Sequence, residues 1–205
     1  MSKAQQHAAL PDNATEAGSA AILRAALEAF EAEGFHGTSI RAIARRAGVS
    51  IALIYYHYPS KEEILRTLML RVTDDLHADL LTACEAAGPL PADRLAALVR
   101  VHVSFHTHRQ AESFVANTEL RSLDAKNRAE VVRSRDAIAG LFKRTIADGL
   151  ARGDFATRSP DEATLAILSM CTSVADWYRT DGAKTPDQIA EDYVTFALDL
   201  LRHPR

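Results

Sequence analysis

The chain has 205 residues, 47% of them hydrophobic and 25% charged, an ordinary globular composition from which one large or two small folded domains are expected. No apolar run approaches the roughly 18 residues of a membrane span, and MSKAQQHAALPDNATEAGS lacks the apolar core of a secretory signal, so a cytoplasmic protein without a membrane partner is expected. The net charge of −3 hides an asymmetry: Gly34 to Lys61 holds Arg41, Arg45, Arg46 and Lys61 and no acid, so that segment carries +4 and the remainder −7, a pattern suited to a polyanion such as DNA.

The elements read as helix after helix, about nine in all, with no convincing strand. The first 18 residues are expected to be disordered. Ile22, Leu23, Ala26, Leu27, Ala29 and Phe30 then form a stripe at 3.6-residue spacing that ends near Gly34. A short helix from about Ser39 to Ala47, capped by Thr38 or Ser39, turns Ile40, Ile43 and Ala44 inward and stops at Gly48. Ser50 caps a third helix that Pro59 ends. Ser60, with Glu63 three residues on, opens a fourth helix that runs to about Ala87, where Gly88-Pro89 breaks it. Further helices are predicted near Pro91 to His106, Gln110 to Leu123, Asp124 to Arg152, Pro160 to Thr180 and Pro186 to Leu201. Ser159 to Glu162 and Thr185 to Gln188 both read as capping boxes with Pro at the first helical position. Residues 19–65 and 66–205 are the expected domains.

Two short helices joined by a turn at Gly48, in an acid-free basic stretch, have the form of a helix-turn-helix whose second helix enters the major groove. At 100° per residue, Ile54 and Tyr58 point to the core with Ile51 nearby. Ala52, Tyr55 and Tyr56 take the outer arc, and Leu53 and His57 flank it. The Tyr55 and Tyr56 hydroxyls are then placed for phosphate or base edges, and Lys61, at a helix N-terminus, for a phosphate. Arg45 and Arg46 read either as phosphate contacts or as solvated charges, and His57 either as a contact or as a packed ring.

Residues 22 to 68 resemble the N-terminal DNA-binding domain of the TetR family of transcriptional regulators. The matching features are an apolar helix ending in GF, then TS, the IA..AGVS turn, IYYHY and SKEEIL. The resemblance implies an all-α homodimer, with three N-terminal helices that bind a double-stranded operator and a larger C-terminal domain that dimerises and holds an inducer. By position it makes Thr38 or Ser39 a phosphate anchor and Arg41 a base or phosphate contact. Ser50, Ile51, Ala52 and Leu53 begin the recognition helix, Tyr55, Tyr56 and His57 follow, and Lys61 is a phosphate-binding lysine. Ala52 stands where the family usually has Gly, and Ile51 and Leu53 replace positions often polar, which shifts base readout toward thymine methyl groups and Arg41.

Residues 133 to 201 are similar to the C-terminal domains of TetR-type repressors of fatty-acid, aromatic-acid or steroid breakdown, which implies an acyl-CoA thioester as inducer. Ala163, Ile167, Met170, Cys171, Val174 and Trp177, with Ile189, Tyr193, Phe196 and Leu200, form two stripes suited to pairing the last two helices with those of a second copy. Phe105, Phe114, Asn117, Arg121, Trp177 and Tyr178 have the composition of a small-molecule pocket, and Arg121, Arg128 and Lys143 are candidates for a nucleotide's phosphates.

His102 and His106 stand four apart on one helix face, but without a Cys or an intervening Glu they read as helix-face histidines, and no metal or cofactor is expected. Cys84 and Cys171, far apart and without a CxxC, are expected as reduced buried thiols. With no GxSxG, GxGxxG, P-loop or framed carboxylate pair, an enzyme is not expected. A non-catalytic helical adaptor or an enzyme without recognisable motifs is the alternative, and the adaptor leaves the acid-free basic stretch unexplained. The reading is a ligand-responsive DNA-binding regulator, most simply a repressor on a palindromic operator.

Overall fold

The computed structural model describes residues 12–201. Nine α-helices and no strand are present among them: α1 Asp12–Gly37, α2 Ile40–Ala47, α3 Ile51–His57, α4 Lys61–Ala86, α5 Pro91–His108, α6 Gln110–Thr118, α7 Ala125–Arg152, α8 Pro160–Trp177 and α9 Pro186–Leu200. They form two compact units, one up to Leu65 and one from Arg66. The fourth helix belongs to both.

In the first unit, Ile22, Ala26, Ala29 and Phe30 of α1 pack with Ile43 of α2 and Ile54 of α3, all buried. Residues 12–18 are helical, so α1 starts before the expected ordered boundary near residue 19, and residues 1–11 of that expectation lie outside the described residues. Packing accounts for the early start. Gly18 faces the His57 and Leu53 side chains, and Ser19 Oγ lies 2.7 Å from the Tyr58 hydroxyl. The α1 stripe is interrupted at Gly34, whose φ of 70° turns the chain before a last helical segment to Gly37.

Ser39 caps α2 by accepting from the Ala42 amide, and Gly48 ends it in the left-handed region at φ 68°. A side chain at Gly48 would meet no neighbour but would be strained by that φ. Ser50 caps α3 by accepting from the Leu53 amide, and Ser60 accepts from the Glu63 amide at the start of α4.

In the second unit α5 is central and packs against α6, α7, α8 and α9. Its Leu95, Leu98, Val99 and Val103 are fully buried, as are Phe142 and Ile146 of α7 and Ile167, Cys171 and Val174 of α8. Burial pushes the Cys171 thiol up to about 12, leaving it inert, while Cys84 is half-buried and also free.

Helix ends differ from the sequence reading where side chains intervene. The capping box at Thr185 forms completely, with Gln188. The one expected at Ser159 does not: Ser159 accepts no cap bond, and its amide donates to Thr157 Oγ1 instead. Gln110 donates to the carbonyls of Ala175 and Tyr178, satisfying the end of α8 at Trp177 rather than Thr180. Likewise α6 stops at Thr118, and a single 3-10 turn, Leu120–Ser122, completes the segment. After α7, Phe155 folds back over Gly149, where a Cβ would stand 2.1 Å from the ring. No described helix is long and apolar enough to cross a membrane.

Candidate functional site

The first surface is built by α2 and α3. Because α3 has only seven residues, its short length and two inward anchors determine what faces out: Ile54 is fully buried and Tyr58 is 6% exposed. Tyr55 and Tyr56 are 53% and 69% exposed. Ser50, Ile51 and Ala52 are exposed at the N-terminal end of the same helix, and Leu53 is half-buried. His57 is half-buried; its ring meets Tyr56 edge-on at 5.2 Å, and its Nε2 is buried without a hydrogen bond beside Gly18, which makes it a packed ring.

The basic residues divide into two groups. Arg41 and Arg45 are exposed on α2, and no ion pair holds either one among the described residues. Arg46 lies 3.8 Å from Glu28 and 4.0 Å from Glu33, both on α1, so its charge is partly neutralised inside the unit. Lys61 donates from Nζ to the carbonyls of Phe35 and Thr38 and sits 4.2 Å above the Phe35 ring. That bonding ties the start of α4 to the corner between α1 and α2, so Lys61 is a fixed charge with a role in the fold.

Of Thr38 and Ser39, only Ser39 is accessible. Thr38 is 2% exposed, and its hydroxyl donates to the carbonyls of Ala29 and Gly34. Residue type alone could not separate the two, because both can cap. The deciding contact is with Ala29, nine residues back across the turn.

The second site is a partly open cavity of about 530 Å³ in the second unit, lined by α4, α5, α6, α7 and α8, a volume in the range of small-molecule sites. Val72, Leu76, Phe105 and Ile138 supply apolar wall, and His102, His106, Ser113, Asn117 and Arg135 supply polar wall. Phe105 and Asn117 of the six expected residues line it. Phe114 and Trp177 are exposed elsewhere, Arg121 is exposed on the 3-10 turn, and Tyr178 is buried beside the end of α8. Of the three cations proposed for phosphates, Arg121 and Arg128 are exposed off the cavity, and Lys143 is 3.0 Å from Asp161.

The polar wall contains the histidines read as helix-face residues. Both are buried: His106 Nδ1 lies 2.8 Å from the His102 carbonyl, the two rings are 4.7 Å apart, and Thr172 Oγ1 is 3.4 Å from His102 Nε2. Burial, then the neighbouring His106, holds His102 well below its ordinary value. His106 is also lowered, chiefly by burial. No cluster of three metal-binding side chains exists among the described residues. The i, i+4 histidine spacing was visible in the sequence, and what it could not show is that this face of α5 turns into a cavity.

The family model for the tetracyclin repressor-like C-terminal domain matches residues 88–201, and that for bacterial regulatory proteins of the tetR family matches residues 22–68. The chain belongs to the TetR family. Among TetR relatives, the HTH-type transcriptional repressor KstR2 of Rhodococcus jostii (strain RHA1) is 28% identical over 191 residues, 89% of this chain and 90% of that one. A tetR-family regulatory protein from Rhodococcus RHA1 has a similar crystal structure, with TM-score 0.85, 31% identity, and coverage of 92% of this chain and 98% of that one. AibR, solved in complex with isovaleryl coenzyme A and operator DNA, shares the fold at TM-score 0.81 and 22% identity, over 91% of this chain and all of AibR. This TetR protein is a DNA-binding transcriptional regulator, and its α2–α3 pair is the family's helix-turn-helix.

Proposed function

We propose that this regulator is a cytoplasmic homodimeric repressor that holds a palindromic operator with α3 in the major groove and leaves it when a small molecule enters the cavity. The observation that carries the DNA-facing part is the outward pair Tyr55 and Tyr56, backed by buried Ile54 and Tyr58 and flanked by Arg41 and Arg45 in a segment without acids. Ser39, Ser50, Ile51, Ala52 and Leu53 complete the contact surface, with Lys61 as the fixed charge at its edge.

Dimerisation is supported by the outer faces of α8 and α9. Trp177, Phe196 and Leu200 are exposed there, with Phe196 at 55%, apolar surface on neighbouring helices that a second copy would cover. Of the two stripes expected to pair, Ala163, Ile167, Cys171, Val174 and Ile189 belong to the subunit's own core, whereas Trp177, Phe196 and Leu200 face out.

Release follows from α4. It starts at Lys61 in the DNA-binding unit, and Val72, Thr73 and Leu76 further along it line the cavity. At 1.5 Å per residue the helix is a rod of about 39 Å. A ligand pressing on its middle shifts it, and two recognition helices that must meet grooves about 34 to 36 Å apart tolerate little displacement. A hundredfold preference of ligand for the released form at each of two sites supplies about 5.5 kcal/mol, enough to empty the operator.

The effector class is an acyl-CoA thioester or its parent acid, a reading supported by the isovaleryl coenzyme A bound to AibR. The test is a gel shift with DNA upstream of the protein's own gene, titrated with acyl-CoA thioesters and with free acids. Retention of that DNA against every thioester and acid would remove this effector class, and failure to bind any such DNA would place the proposed operator elsewhere.

A further inference from the structure

The cavity is not lined for a plain hydrocarbon. His102 Nδ1, Ser113 Oγ and Asn117 Nδ2 are buried side-chain atoms without a hydrogen bond, and all three residues belong to its wall. Buried polar groups in native proteins are nearly always partnered, so three orphans converging on one volume mark a place where a ligand supplies the partners.

Arg135 adds charge to this set. It lines the same cavity from α7, and its Nη2 donates to the Ala116 carbonyl at 2.8 Å. No carboxylate lies within ion-pairing distance of it among the described residues, unlike Arg66, Arg100 and Arg109, each of which meets a glutamate. Burial lowers its pKa, and no neighbouring acid compensates. A half-buried guanidinium with one neutral acceptor has a fork of donors left for a planar anion.

We propose that the cavity recognises a carboxylate, which pairs with Arg135 and takes hydrogen bonds from Asn117 and Ser113 while the apolar body of the ligand lies on Val72, Leu76 and Phe105. The inference rests on the reading of this cavity as the effector site and names the group that the effector presents inside it. A monoanion fits better than a phosphate dianion, because Asp136 and Asp176 stand in the same wall and oppose a second negative charge. The neutral rings of His102 and His106 add hydrogen bonding without adding charge. The carboxylate has two possible sources, a free acid or the distal carboxylate of a dicarboxylic acid whose other end is a thioester.

The experiment uses the full-length protein and two variants, Arg135→Gln and Arg135→Met. A thermal-shift series of linear C4 to C16 mono- and dicarboxylic acids, with their primary amides, is followed by calorimetry on the best binder and by operator release. Expected are stabilisation by acids and not by the matching amides, and binding of the best acid weakened roughly thirtyfold or more in Arg135→Gln. Without ligand, Arg135→Met is expected to melt about 2–4 °C higher than the unsubstituted protein, since it removes a half-buried charge that no carboxylate pairs.

Equal binding of acids and amides, unchanged acid binding in Arg135→Gln, no stabilisation by any acid in the series, or a lower melting point for ligand-free Arg135→Met would each overturn the proposal. Hexanoate, hexanoyl-CoA and adipyl-CoA separate the sources: release by hexanoate assigns the free acid, and release by adipyl-CoA but not hexanoyl-CoA assigns the distal carboxylate. Release by hexanoyl-CoA with Arg135→Gln as responsive as the unsubstituted protein would leave the effector reading standing and remove the carboxylate.

Discussion

In the unit up to Leu65, the Thr38 hydroxyl closes on Ala29 and Gly34, the Tyr58 hydroxyl on Ser19, and the Lys61 ammonium on Phe35 and Thr38. In the unit from Arg66, His102, Ser113 and Asn117 leave polar atoms unpaired around a cavity, and Arg135 meets no acid. The function proposed for each unit accounts for the difference. A DNA surface needs its contacts outside on a stiff support, so its inner polar groups serve the support. A small-molecule site needs its contacts inside and dry, so part of its hydrogen bonding stays incomplete until a ligand arrives.

The contrast can be tested, and the largest effect is expected at the outer faces of α8 and α9. Phe196→Glu puts a charge into the proposed dimer face and should raise the dimer dissociation constant at least about a hundredfold, on the order of 3 kcal/mol, measured by analytical ultracentrifugation. An unchanged dimer would move the interface away from α9.

Next come two residues of the first unit that the contrast separates. Tyr56→Ala should cost about 1 to 3 kcal/mol of binding at the operator position it touches while leaving the melting temperature alone. Lys61→Ala should in addition destabilise the unit by about 1 to 3 kcal/mol, because two carbonyls lose a charged donor. A melting curve and an operator titration on each variant are sufficient, and a Lys61→Ala protein that melts normally would remove its role in the fold.

A smaller effect is expected from the histidines. Both have folded values below the ordinary 6.5, so below that pH the unfolded chain takes up protons that the folded chain does not. Stability is therefore complete above pH 6.5 and falls as pH drops below it, by at most about 1.4 kcal/mol per pH unit for each ring. Denaturant titrations between pH 7.5 and 5 should show the slope, and His102→Asn should flatten it. A slope that survives in the variant would assign it to other groups.

The finest test is ionic strength. With about two to four cations per subunit on phosphates, log K should fall with log salt at a slope of roughly −4 to −7, and Arg41→Ala should reduce it by about 2 per dimer. Arg46, already beside Glu28 and Glu33, should change it less. Equal changes from both would mean that the acids of α1 release Arg46 to the DNA.

The legibility of the chain divides along the same line. Caps at Ser50 and Thr185, the helix stop at Gly48 and the inward pair Ile54 and Tyr58 were all readable, because each depends on residues within one turn. The role of Lys61 depends on carbonyls 23 and 26 residues away, and no local rule reaches that far. The cavity is harder still. Phe105 and Asn117 were legible from composition, whereas His102, Ser113 and Arg135 become a set only when α5, α6 and α7 converge, and Trp177, the most pocket-like residue by type, faces outward.

The close approach of Phe155 to Gly149 limits how this protein can vary. With a Cβ at 149 only 2.1 Å from the ring, a mutational scan should find that position intolerant of every side chain in the native background and permissive once residue 155 is small. Position 155 must therefore shrink before position 149 can grow. The intermediate with the small residue has an emptied core site, a loss of about 3 to 5 kcal/mol for Phe to Ala, so the two positions are separated by a valley of stability and should co-vary in descendants of this sequence.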